Sequence, residues 1–195
     1  MKHPFDTVLK TWNLLNHPFY QAWSAGTLPV EALKVYASEY GAFIGILHEG
    51  WKTLNDAETA GEEREHAGMW DGFASALGTK VGAPEISRTS DLVNVSRNLF
   101  ASPATALGAM YAFEAQQPET AKSKLRGLKA HYALPAEAET YFEVHAANWH
   151  ESEKIMKQIE ALPAEEQQQA LAACETMAES LWNALTGIHD KTCIN

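Results

Sequence analysis

The stretch LKVYASEYGAFIGIL, residues 33–47, spaces Leu33, Tyr36, Tyr40, Phe43 and Leu47 three and four apart. Residues at that spacing share one side of a helix turning every 3.6 residues, and the string has no two-residue alternation that would suit a strand. Pro29, a favourable residue in a first turn, opens the segment.

The same periodicity extends in both directions. Upstream it predicts helices over about Phe5 to Leu15 and Phe19 to Ala25, the second closed by Gly26. Downstream, Met69, Trp70, Phe73 and Leu77 form an inward face that Gly78 ends, and Ser90 to Phe100 is again helical. Ser102 and Pro103 make a cap and first-turn pair for a helix reaching Gln117. Pro118 should kink the chain before Glu119 to Tyr132 resume it. Pro135 opens a helix carrying YFEVHAANWHESEK, residues 141–154, and Pro163 opens the last one, to about His189. No fixed period recurs, so the expectation is an all-α fold: a compact bundle of seven to eight helices, with residues 1–195 as one domain.

Composition agrees with that expectation. A chain of 195 residues, 46% hydrophobic and 21% charged, can bury roughly 70% of the surface its unfolded form exposes. Two cysteines, Cys174 and Cys193, are too few for a disulfide framework and favour a reducing compartment. The opening residues have no apolar signal segment, and no run approaches the length of a membrane span, so a cytoplasmic protein is expected. A net charge of −10 repels phosphate backbones and anionic headgroups, which argues against nucleic acid and membrane partners.

Bundle interiors build iron and manganese centres from inward carboxylates and from Glu-x-x-His pairs. Glu63 and His66 form one such pair, although the acid-rich EEREH suits a solvated turn as well. Glu114 follows Met110, Tyr111 and Phe113, where a carboxylate is costly to bury without an ion; the polar face of its helix is the competing location. His145 and His150 are five apart, about 140° around a continuous helix, and are not a chelating pair. His145 shares a stripe with Asn148, Trp149 and Ser152, whereas His150 faces solvent with Glu143 and Glu153. Cys174 looks like a small core residue, and His17 or His48 as a haem ligand has only a lone histidine in its favour. The chain has no phosphate-binding glycine loop, no Cys-x-x-Cys pair and no Gly-x-Ser-x-Gly elbow.

The phrases LLNHPFYQAWSAGTL, YASEY, HAGMWDGFASALG, MYAFEAQQPETAKSKLRGLKAHY and YFEVH together resemble the haem-oxygenase-like superfamily. The likeness runs over about residues 14–188, falls in the TenA/PqqC group and is nearest its CADD-like branch. It implies a seven-helix bundle, often a homodimer, with its active site between the helices. In that branch a non-haem di-iron centre activates O₂, and members are implicated in making 4-aminobenzoate for folate. They oxidise a tyrosine of their own chain, and a lysine gives up nitrogen. The resemblance carries the metal ligands to Glu58, His66, Glu114 and His145, with Glu62 or Glu63 as substitutes for Glu58. It carries the reactive tyrosines to Tyr20 and Tyr36, with Tyr40 nearby, and the lysine to Lys124.

One signature departs from the branch. Where a late His-x-x-x-Asp-x-x-His wants Asp and a second His, an unbroken register gives Trp149 and Ser152. A shift by two that recruits His150 would need a deletion within a helix, so the unbroken register is preferred, and the indole is expected to fill the second metal's space. The resulting expectation is an O₂-using oxidase with one or two non-haem irons. It would act on Tyr20, Tyr36 or a small aromatic metabolite. The alternative is a metal-free TenA/PqqC-like protein that binds or converts a small organic ligand in the bundle pocket. A thiaminase of that kind would need a nucleophilic cysteine.

Overall fold

The computed structural model describes residues 3–147 and 149–193. Its helices are α1 (Pro4–Thr11), α2 (Pro18–Ser24), α3 (Val30–Ile44), α4 (Leu47–Thr53), α5 (Ala57–Ala76) and α6 (Ser87–Leu99). They continue with α7 (Pro103–Glu114), α8 (Gln117–His131), α9 (Thr140–Ala146), α10 (His150–Ala161) and α11 (Ala164–Cys193). Short 3₁₀ turns lie at Leu14–Asn16 and Ala136–Ala138, and the described residues contain no strand.

The pairs α3/α4, α7/α8 and α9/α10, like α4/α5, α6/α7 and α10/α11, are separated by only two or three residues. Joined at the first three of these, where the apolar spacing predicts continuous or kinked helices, the eleven α-helices count as eight. Pro118 sits in the first turn of α8, where its missing N–H costs nothing, and the chain bends at residues 115–116 just before it. Gly26 and Gly78 end their helices at φ of +69° and +73°, the left-handed conformation that glycine adopts without strain.

The break between α9 and α10 overturns a sequence expectation. Residues 141–154 do not form one helix: Ala147 closes α9, and Trp149 begins α10 without a side-chain cap. Trp149 is 47% exposed, so its indole fills no interior space. Asn148, expected to share a stripe with His145, lies outside the described residues.

Helix α11 is the spine. Ala170, Cys174, Met177, Ala178, Leu181, Ala184, Leu185 and Ile188 are buried at helical spacing, and this stripe packs along α7 and α6. The approach to α7 is closest at Gly108, where an added Cβ would stand 1.9 Å from the Ala170 carbonyl oxygen. Gly108→Ala therefore forces the two helices apart, at a cost of about 1–3 kcal/mol. A lower Tm in thermal melts checks this.

His17 ties α2 to the same spine. Its Nδ1 accepts from the Phe19 N–H, capping α2, so its Nε2–H donates to Thr186 Oγ1 at 3.0 Å. With both nitrogens engaged it is a structural residue and not a haem ligand. Burial, helped by His189 and opposed by Asp190, lowers its pKa to about 4. An unfolded histidine titrates near 6.5, so between those values the unfolded chain binds the extra proton. The stability His17 provides is complete above about pH 6.5 and is lost as the pH falls toward 4. His17→Asn keeps a capping acceptor without titrating, and denaturant melts at pH 7.5 and 4.5 should show a flatter pH dependence in that variant.

The interior between α2, α3, α5 and α9 is aromatic: Trp23, Tyr36, Tyr40, Trp70, Phe73, Tyr141 and Phe142 are all buried. Edge-to-face contacts join them, including Trp23 on Tyr36 at 5.4 Å and Trp70 on Tyr141 at 4.8 Å. No described helix is long and apolar enough to cross a membrane.

Candidate metal centre

Buried carboxylates are normally satisfied, and Glu39 does this with both oxygens, accepting from the backbone N–H groups of Glu85 and Ile86. Another group of side chains, all buried except the partly buried His66, behaves differently. Helix α5 contributes Glu63 and His66, α7 ends in Glu114, α9 carries His145, and Glu151 stands in the first turn of α10. The Oε2 of Glu63, Oε1 of Glu114, Nε2 of His145 and Oε2 of Glu151 are all buried and unpartnered.

Ligand atoms of Glu63, His66 and His145 lie within 4.8 Å of one another. The imidazoles meet edge to face with centroids 4.5 Å apart, and His66 Nδ1 is 3.2 Å from Glu63 Oε1. His145 Nδ1 donates to the Tyr141 carbonyl oxygen at 2.7 Å while its ring stacks on Tyr141. That hydrogen bond fixes the tautomer and leaves Nε2 as a bare lone pair, the arrangement metal-bound histidines adopt.

Electrostatics point the same way. Burial, with Glu63 and Glu151 adding repulsion, drives the Glu114 pKa well above the carboxylate range. Burial lowers His145 to about 3, with the His66 and Lys124 charges contributing, so its imidazole is neutral. Burial works against His66 as well, but Glu63, Glu62 and Glu151 outweigh it and raise its pKa. Three carboxylate oxygens and one imidazole nitrogen left buried without a protein partner in one cluster are unfavourable until a cation joins them. The donors are oxygen and imidazole nitrogen, and two histidines with one carboxylate at the tightest point suit non-haem Fe(II). The residues present fit an iron ion.

Of the residues named from the sequence, His66 and His145 stand together with Glu63, and Glu114 is near enough to Glu63 to feel its charge. Glu58 does not: it is exposed in the first turn of α5. Five residues separate it from Glu63, so when one faces inward the other faces out, and Glu63 occupies the inward place. Glu151 was missed. The interruption between α9 and α10 resets the helical register and turns it inward, whereas His150 stays exposed and pairs with Glu151 Oε1 at 2.9 Å. A signal for this exists in the sequence: Glu151 precedes the buried Ile155 and Ile159 by four and eight residues, so it lies on the apolar stripe of α10.

A second buried group adjoins the first. Tyr20 and Tyr36 share a hydrogen bond at 2.9 Å, and Lys124 Nζ donates to the Tyr36 hydroxyl at 3.3 Å. The amine stands 5.1 Å from the Tyr20 ring centroid and 5.2 Å from that of Phe142. Only 3% of Lys124 is exposed, and burial lowers its pKa to about 7. Burial also raises the pKa values of Tyr20, Tyr36 and Tyr40. From His145 the rings run continuously: Tyr141 stacks on it, Trp70 meets Tyr141 edge-on, and Trp70 lies 5.5 Å from Tyr36. Cys174 is free and fully buried on α11, its pKa pushed up to about 12 by burial, which is the behaviour of a core residue and not of a nucleophile. The side chain of Cys193 lies outside the described residues.

The fold is that of haem-oxygenase-like proteins. A domain of unknown function with a heme oxygenase-like fold from Shewanella denitrificans superposes with a TM-score of 0.80 at 16% identity, over 95% of this chain and 90% of its own. A CADD-like protein of unknown function from Nostoc punctiforme gives 0.69 at 18% identity, covering 96% and 98%. A TenA homolog from Pseudomonas syringae gives 0.75 at 15% identity, covering 94% and 90%.

Residues 48–182 match the model of a family described as iron-containing redox enzymes, and the chain belongs to that family. The matched span includes Glu63, His66, Glu114, His145 and Glu151, the residues of the centre described above. The chain is also similar to the 4-aminobenzoate synthases of Nitrosomonas europaea, at 28% identity over 100% of this chain and 93% of that protein, and Chlamydia pneumoniae, at 29% over 96% and 94%.

Proposed function

We propose that this protein is an O₂-dependent non-haem iron oxidase that forms 4-aminobenzoate from its own Tyr20, with Lys124 as nitrogen donor. The observation that carries this reading is the burial of Tyr20, Tyr36 and Lys124 as one hydrogen-bonded group, in the same bundle interior as three carboxylate oxygens and the His145 imidazole nitrogen that have no partner. The 4-aminobenzoate synthases it resembles support the choice of product.

Glu63, His66 and His145 would hold the iron, with Glu114 and Glu151 completing its surroundings. Iron bound there supplies the capacity to activate O₂ for oxidation.

The remaining chemistry belongs to the chain. A tyrosine side chain already contains the carbon skeleton of 4-aminobenzoate, a six-membered ring with Cβ para to the hydroxyl. Conversion requires nitrogen in place of the hydroxyl oxygen and a Cβ freed from Cα and oxidised to a carboxylate. Lys124, with its pKa near 7, offers a neutral amine at physiological pH, and its nearest ring is that of Tyr20. Tyr36 acts as a positioning residue: its hydroxyl bonds both Tyr20 and Lys124, and its ring is wedged among Phe19, Trp23, Tyr40 and Trp70. The packing of Tyr20, Tyr36 and Phe142 around the amine favours a self-derived ring over a diffusing aromatic metabolite.

A chain consumed in this way makes no more than one product molecule. Purified iron-loaded protein given O₂ and a reductant should release at most one 4-aminobenzoate per chain, and peptide mass mapping should locate the lost side chain at residue 20. Repeated turnover on an added aromatic metabolite, with Tyr20 intact, would overturn the reading.

A further inference from the structure

The interior of the centre is closed to solvent: Glu63, Glu114 and His145 are each at most 5% exposed. An ion needs a way in. Glu151 supplies one end of it, since its side chain is buried, its Oε2 has no partner, and its charge acts on both Glu114 and His66. Its other oxygen, Oε1, lies 2.9 Å from Nε2 of His150, whose side chain is 76% exposed. One carboxylate thus keeps an oxygen buried within reach of the Glu114 and His66 charges and sets the other against an imidazole in water.

Adjacent residues on a helix do not normally face each other. His150 stands in the first turn of α10, directly after the interruption that separates it from α9, and there its ring reaches the neighbouring carboxylate. An ion pair with one partner this exposed adds little to stability, so holding the fold is a weak use for the contact. Metal chemistry suits it better. An imidazole nitrogen and a carboxylate oxygen 2.9 Å apart can both reach one ion at the usual metal–ligand distance of roughly 2.1 Å, and both are donor types that iron accepts. The exposed ring exchanges tautomers with water, so Nε2 is free to bind an ion while the proton sits on Nδ1. A net charge of −10 draws cations toward the chain.

We propose that His150 and Glu151 form the entry site of the centre: the two side chains take a divalent transition-metal ion from water, and a turn of the Glu151 carboxylate passes it to the buried donors. This rests on the reading of Glu63, His66, Glu114, His145 and Glu151 as a metal centre. His150 then governs how fast the centre fills, and the buried residues govern how much it holds.

The rate of metal uptake tests it. Metal-free full-length protein is mixed anaerobically with Fe(II), quenched with a chelator at set times, desalted and analysed for iron. His150→Ala slows uptake at least 10-fold and reaches the same final iron content as the wild type. His150→Asp, which can ligate, recovers most of the rate, whereas His150→Gln, which can bond to Glu151 but ligates poorly, does not. An unchanged rate in His150→Ala, or full recovery in His150→Gln, would overturn the entry site and leave the oxidase reading standing. A lower final iron content in the variants, with the fold intact by circular dichroism, would make His150 part of the centre itself and overturn the entry site as well. No iron uptake by the wild type would overturn both readings.

Discussion

Lys124→Met and Tyr20→Phe each lower the yield of 4-aminobenzoate at least 100-fold while leaving the fold and the iron content unchanged. Methionine reproduces the lysine stem as far as Cε and remains compatible with the aromatic cage of Tyr20, Tyr36 and Phe142. What it removes is the amine. Phenylalanine keeps the ring of residue 20 and removes its hydroxyl, at a stability cost of about 1 kcal/mol for the bond to Tyr36. Tyr36→Phe separates positioning from reaction: the rate falls, yet the final yield per chain is that of the wild type. The wild-type rate should also climb with pH through about 7 as the buried amine loses its proton, and quantification of product by mass spectrometry from pH 6 to 8 measures it. A Lys124→Met protein that still releases product would remove the lysine from the chemistry.

Glu114→Gln has opposite effects on the two forms of the protein. In metal-free protein, burial and the neighbouring Glu63 and Glu151 oppose ionisation of Glu114. A folded pKa above the unfolded one means that its contribution to stability is present below about pH 4.5 and lost as the pH rises through the folded value. The amide cannot ionise, so metal-free Glu114→Gln protein at pH 7.5 is more stable than wild type by about 1–3 kcal/mol. With Fe(II) present the order reverses, because an anionic ligand has been removed. Glu63→Ala and His145→Ala act more strongly and weaken Fe(II) binding at least 100-fold. Thermal melts with and without Fe(II), together with metal titrations, measure all three variants. A Glu114→Gln protein less stable than wild type in both states would mean that the carboxylate has a purely structural partner.

The bundle was legible because its signal is repeated: every long helix carries apolar residues at three- and four-residue spacing, and Gly26, Gly78, Pro118 and Pro163 mark the ends. The site was legible where a residue's helix stays regular. His66 and His145 stand together, and Tyr20, Tyr36 and Lys124 meet although sixteen and eighty-eight positions separate their bonded pairs. Glu58 and Glu63 were not distinguished, since AETAGEEREH, residues 57–66, has little apolar pattern to say which acid faces in; the fold buries Thr59, Ala60 and Glu63 on one side. The break after Ala147 left no mark in the sequence, because HAANWH contains neither glycine nor proline. Read forward from His145, the register led to Trp149 and Ser152. Read backward from Ile159 and Ile155, the stripe on α10 leads to Glu151.

The central claim is that Glu63, His66 and His145 grip iron. Crystals soaked anaerobically in Fe(II) and measured on both sides of the iron absorption edge test it most directly. The expected result is an anomalous peak bonded to the Glu63 carboxylate and both imidazoles. The contradicting result is fully ordered side chains at 63, 66 and 145 with no iron peak among them.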